Sequence, residues 1–116
     1  MPFRRKSNPA LKVVYAHLTS LCVNLTRLEE VKTFRLSKEL EMRASMVMSD
    51  MGKLLKSIDE GWKNFPRDVI DSLEMVRAYA YISTREGVEF IEENSDRILR
   101  AVRWCISDLE RHLARM

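Results

Sequence analysis

The sequence predicts an all-α protein, an antiparallel up-down-up-down four-helix bundle, and three observations carry that expectation. Four stretches repeat apolar residues at alternating spacings of three and four, the period that lays a stripe along one side of a helix. Only three glycines and three prolines occur in 116 residues, too few for the turns of a many-stranded sheet. The breaks between the stretches, at Asn8-Pro9, Thr33, Pro66 and Ser83, leave short connections, which make successive helices antiparallel neighbours.

The first helix follows from Asn8, whose side chain can accept a backbone N–H at the N-cap, and from Pro9, whose missing N–H costs nothing at the first helical position. Leu11, Val14, Leu18, Leu21, Leu25 and Leu28 then form one apolar stripe, and the helix is expected to run to about Val31. Thr33 is the expected cap of the second helix. Its seam reads Leu40, Ala44, Val47, Met51, Leu54 and Ile58, flanked by Met48, Leu55 and Trp62, and Gly61 and Asn64 weaken its end. Gly52 lies inside this helix, where it costs about 1 kcal/mol relative to alanine and suits a close approach of another backbone. Pro66 restarts the chain into a shorter third helix, with Val69, Leu73, Val76 and Ala80 inward and an end near Tyr81. Ser83 and Glu86 have the capping-box spacing and are expected to open the fourth helix, which turns Val88, Ile91, Ile98, Val102, Cys105, Leu109 and Leu113 to the core.

At 46% hydrophobic and 32% charged residues, the chain has the composition of one globular domain, of a size that gains stability by association. Residues 1–7 lack periodicity and read as a flexible basic arm carrying Arg4, Arg5 and Lys6; residues 8–116 form the bundle domain. No apolar run approaches the roughly 20 residues that span a bilayer. The basic start leads into Asn8-Pro9 and Lys12 instead of an apolar core, so a cytoplasmic location without a secretory signal is expected. Cys22 and Cys105, far apart and without a metal-binding pattern, read as small buried hydrophobes.

Catalysis finds little support in the residue pattern. His17 and His112 stand alone, no phosphate-cradling glycine loop or paired nucleophile and base occurs, and Asp59, Glu60, Asp68 and Asp71 read as solvated acids at helix ends. Neither a cofactor nor a metal is expected. The outward faces are more informative. At about 100° per residue, Arg97, Arg100, Arg111 and Arg115 fall within about 60° of one another, with Trp104 in the same sector. The second helix sets Arg35, Lys38, Lys53 and Lys56 opposite its seam, with Met42 and Met46 between them. These cations, with Arg4, Arg5 and Lys6, suit the phosphates of RNA or DNA, while Met42, Met46 and Trp104 suit a contact with another subunit or partner. A competing reading is a helical protein-protein adaptor with solvated charged faces. Acids at the start of the fourth helix (Glu86, Glu89, Glu92, Glu93, Asp96) and bases at its end are what the helix dipole favours anyway.

Several local patterns add to this. Phe34-Arg35-Leu36-Ser37 leading into Leu40 and Ala44, Tyr81-Ile82-Ser83 placed to open the last helix, and Arg100 within that helix are similar to the small four-helix bundle proteins that include the accessory variability proteins of diversity-generating retroelements and relatives encoded in intervening sequences of large-subunit rRNA genes. The resemblance spans roughly residues 11–113. Leu99 replaces the glycine that usually precedes the arginine, and Trp104 replaces a small residue four positions after it. Met46-Val47-Met48-Ser49 stands where the rRNA-linked branch has a proline, which favours the retroelement branch. The resemblance implies a basic homopentameric barrel of bundles that binds a reverse transcriptase and its template RNA without catalytic activity of its own.

Overall fold

The computed structural model of the chain describes residues 9–114. Asn8, the arm residues Arg4, Arg5 and Lys6, and Arg115 lie outside the described residues. Four helices fill this span: α1 (Pro9–Thr33), α2 (Ser37–Gly61), α3 (Arg67–Glu86) and α4 (Val88–Ala114), with one 3-10 turn at Trp62–Asn64. Each helix packs on the next, α1 closes the ring on α4, and α2 also meets α4 across the short diagonal. The described residues make a rod of 56 × 24 × 18 Å.

Polar contacts show that α4 runs opposite to both of its ring neighbours. Near the start of α1, the Tyr15 hydroxyl donates to Glu110 Oε2 at 2.7 Å, close to the end of α4. Near the end of α1, Lys32 Nζ donates to the Glu92 carbonyl at 2.7 Å, close to the start of α4. Asp68 and Ser72, in the first turns of α3, meet His112 and Asp108 in the last turns of α4.

The expected stripes form the core. Leu11, Val14, Leu18, Leu21, Leu25 and Leu28 of α1 are wholly buried, as are Ala44, Val47, Met51, Leu54 and Ile58 of α2. Val69, Leu73, Val76 and Ala80 of α3 join Ile91, Ile98, Val102, Cys105 and Leu109 of α4 in the same cluster. Leu40, Val88 and Leu113, nearer the rod's ends, are only partly covered. Cys22, expected inside, is half-buried.

The helix ends depart from expectation. Thr33 does not cap α2; it is the last residue of α1, and its hydroxyl bonds back to the Glu29 carbonyl at 2.8 Å. The reversal comes afterwards, where the N–H groups of Arg35 and Leu36 bond the carbonyls of Lys32 (3.2 Å) and Val31 (3.0 Å). That pair of bonds is a Schellman motif, and Arg35 occupies its left-handed position with φ 55°. A glycine would have signalled this stop, and the arginine hid it.

Ser83 does not open α4 either. Helix α3 continues through it to Glu86, so Tyr81-Ile82-Ser83 belongs to the end of α3 and not to the start of the last helix. The break is at Gly87, whose φ of 95° suits glycine and whose N–H caps the Ser83 carbonyl at 2.9 Å. Pro66 immediately precedes α3 with ψ 156°, extended as a residue before a helix should be. Gly61 is needed for packing, because a Cβ there would meet the Phe65 ring at 2.5 Å. Gly52 has nothing within 4 Å of that position, so no backbone approaches it.

Two substitutions test this core. Val47→Asp places a carboxylate among wholly buried aliphatic side chains, at a cost on the order of 5 kcal/mol, comparable with the stability of such a domain. Calorimetry should find no cooperative melt near the parent's temperature. Ser83 is wholly buried and its hydroxyl has no hydrogen-bond partner among the described residues. Ser83→Ala removes that unsatisfied group and should stabilise the fold by about 1 kcal/mol in chemical denaturation. A destabilised alanine variant would instead show that the hydroxyl finds a partner in solution.

Candidate nucleic-acid interface

Because α2 packs on α1, α3 and the diagonal α4, its remaining side faces outward, and Lys38, Lys53 and Lys56 are exposed along it. Lys38 and Lys56 are roughly 27 Å apart at the rise of an α-helix. Arg35 sits just ahead of them in the left-handed turn, also exposed. None of these four cations forms an ion pair among the described residues. The exposed Glu41 and Glu60 flank the row without neutralising any member directly. Met42 and Met46 interrupt it, 50% and 41% exposed, so the face has basic ends and an apolar middle.

The α4 stripe differs in its electrostatics. Arg97, Arg100 and Arg111 are exposed, but Arg100 lies 3.7 Å from Asp96 and Arg111 lies 2.6 Å from Asp108. Only Arg97 of the three lacks a carboxylate partner among the described residues. The two basic faces also belong to helices at diagonal corners of the bundle, so within one copy they look in different directions. Met42 and Met46 are likewise separated from Trp104, which is 57% exposed on α4.

Sequence reasoning missed the groove in which Trp104 lies. Met75 and Tyr79 of α3 line it with Arg97, Arg100 and Trp104 of α4, Asp71 at one end, and a volume of about 560 Å³. Met75 is 61% exposed. The signal was available: Asp71, Met75, Tyr79 and Ile82 recur on the outward side of α3 at helical spacing.

Two buried polar sites were also missed. Asp50, 8% exposed on α2, accepts from Ser20 Oγ at 3.4 Å and from Asn24 Nδ2 on α1. Lys32 donates to Ser95 Oγ at 2.8 Å and lies 3.3 Å from Glu29, whose carboxylate also accepts from Ser95. Asp50 comes three residues after Val47 and Ser95 four after Ile91, so helical spacing alone would have marked both as inward.

Where α3 begins and α4 ends, Ser72, Asp108 and His112 lie together without making a hydrolytic triad. The Ser72 hydroxyl is directed to the Asp108 carboxylate and the Asp68 carbonyl, and His112 faces Asp68 at 3.3 Å and Asp108 at 3.8 Å. With Ser72 buried and no imidazole nitrogen on its oxygen, nothing activates it toward a substrate. Burial, with Asp108 nearby, pushes the Cys105 thiol up to about 12, which makes it inert. His17 is half-buried on α1 and forms no ion pair among the described residues. Asp59 is held by Arg77 Nε at 2.8 Å and Asp71 by Arg67 at 3.4 Å. Among the described residues, no three His, Cys, Asp or Glu side chains could jointly hold a metal ion, and no helix is long and apolar enough to cross a membrane.

Comparison with family models, with characterised proteins and with solved structures returns no match to this chain.

The Asp108 site gives a pH-dependent expectation. Its carboxyl is held below the ordinary value of 3.8, chiefly by the Ser72 hydrogen bond and also by Arg111 and His112. A depressed folded-state pKa adds stability above the unfolded value and loses it as pH falls through the folded one. Asp108→Asn should therefore be less stable than the parent at neutral pH, with the difference shrinking as pH falls below about 4. Parallel stability curves across that range would mean the carboxylate charge is not what the site stabilises.

Proposed function

We propose that this bundle is a non-catalytic nucleic-acid-binding accessory subunit, and that the outward face of α2 meets phosphates. The observation that carries the reading is the row of Lys38, Lys53 and Lys56, exposed on one side of α2, with Arg35 exposed in the turn just before it, all four free of ion pairs among the described residues. Cations already paired with carboxylates gain less from phosphate, which ranks this row above Arg100 and Arg111. Arg35 supports the same reading. Its left-handed conformation costs a non-glycine residue about 1 kcal/mol, an outlier of the kind that clusters at functional sites.

The nature of the partner rests on the resemblance. Phe34-Arg35-Leu36-Ser37 forms the turn from α1 into α2, and Arg100 lies exposed on α4, while Tyr81-Ile82-Ser83 no longer contributes as a helix start. On that basis the polymerase assisted is a retroelement reverse transcriptase, with its template RNA or cDNA as the nucleic acid.

Filter binding of structured RNA across a salt series tests the reading. Affinity should fall linearly in log units with log salt, and Lys53→Ala with Lys56→Ala should flatten that slope by roughly 1.5. Arg100→Ala with Arg111→Ala should flatten it less. Arg35→Gly should weaken binding while leaving the melting temperature unchanged or higher. Absence of RNA binding by the parent at low salt would replace this reading with a protein-protein adaptor.

A further inference from the structure

The turn between α1 and α2 holds an aromatic ring out in water on a well-tied backbone. Phe34, 70% exposed, is the most exposed large apolar side chain among the described residues, and Leu36 is 46% exposed. The N–H groups of Phe34, Arg35 and Leu36 bond the carbonyls of Glu30, Lys32 and Val31, which fastens the turn to the end of α1. Phe34 and Leu36 wall a groove of about 360 Å³ with Arg27 and Glu30 of α1 and Glu39 and Arg43 of α2. That volume is at the small end of ligand pockets. Two arginines against two glutamates leave the lining balanced in charge, which suits an uncharged polar group better than a bare phosphate. Arg43 keeps donor capacity. Its Nε is buried with no hydrogen-bond partner among the described residues, Glu39 lies 3.9 Å away, long for a hydrogen bond, and Nη1 meets the weak acceptor Sδ of Met46 at 3.8 Å.

We propose that an unpaired base of the bound nucleic acid stacks on Phe34, with its edge toward Arg43 and its flanking phosphates on Arg35 and Lys38. The contact of Arg43 with Met46 joins the groove to the apolar middle of the α2 face, while Arg35 is the chain neighbour of Phe34 and Lys38 lies in the first turn of α2. Continuity with that basic row selects this occupant over a protein segment. The inference rests on the phosphate reading of α2 and adds the form of the nucleic acid to it: a loop, bulge or single strand, because the bases of an unbroken duplex are already stacked on one another. Every base offers a π face, so the site tolerates any sequence.

Fluorescence anisotropy at low salt tests the proposal with a looped RNA and a perfect duplex matched in number of phosphates, circular dichroism and sedimentation monitoring helix content and subunit number. The parent should bind the looped RNA at least about fivefold more tightly. Phe34→Ala should remove that preference and leave duplex affinity and the salt slope as in the parent. Phe34→Leu, apolar but without a π face, should match the alanine variant, and Phe34→Trp should keep the preference. Lys53→Ala with Lys56→Ala should weaken both RNAs alike. Equal affinity of the parent for the two RNAs, or a preference that survives Phe34→Ala, would overturn the stacking site while the phosphate reading stands. A changed subunit number in Phe34→Ala would overturn it too, by making Phe34 a contact between copies. A parent that binds neither RNA removes both readings.

Discussion

Because the aliphatic ladder of α1 has to be covered on more than one flank, the other helices have little freedom in where they lie. Seven side chains of this helix, from Leu11 to Val31, are buried and every one is leucine or valine. A stripe of branched aliphatics running from Leu11 to Val31 exceeds what one neighbouring helix can cover. Helices α2 and α4 therefore flank it, and α3 closes the far side.

Aliphatic burial is non-directional, so it does not by itself fix how far one helix slides along another. Three polar contacts supply that information. Asp50 held by Ser20 and Asn24 sets α2 against α1, Lys32 with Glu29 and Ser95 sets α4 against α1, and Ser72 with Asp108 sets α4 against α3. Each leaves a costly unpaired group if its helix slips by one turn, about 5.4 Å. A register error is penalised by these groups more sharply than by the leucines, which find new neighbours after a slip.

Periodicity made the core legible in the sequence because burial repeats with the helix, and Leu18, Val47, Val76 and Val102 are inside where spacing places them. Helix ends were less legible because they depend on single backbone conformations. Thr33 and Ser83 have capping chemistry, yet both lie within helices; the chain turns at Arg35 and Gly87, and only the glycine advertises a left-handed residue. The basic faces were legible residue by residue. Their pairing state was not, since whether Arg100 finds Asp96 while Lys53 finds nothing depends on side-chain placement that spacing leaves open. The α3–α4 groove escaped because it needs two helices at once, and the outward apolar residues of α3 look incidental until Trp104 is set beside them.

Closure of the core bears on where any function must lie. Wholly buried aliphatic residues extend from Leu11 to Leu109, and of the buried polar side-chain atoms described only Ser83 Oγ and Arg43 Nε lack a hydrogen-bond partner, so most charged side chains stand on the outer faces. Those faces divide by charge balance. On α2, Lys38, Lys53 and Lys56 have no ion-pair partner among the described residues, and a phosphate bound there would displace counterions, so such binding would strengthen with dilution of salt. On α4 the acids from Glu89 to Asp96 precede Arg97, Arg100 and Arg103, beside exposed methionine and tryptophan, a pattern poorly matched to a polyanion because Glu93 and Asp96 would repel it.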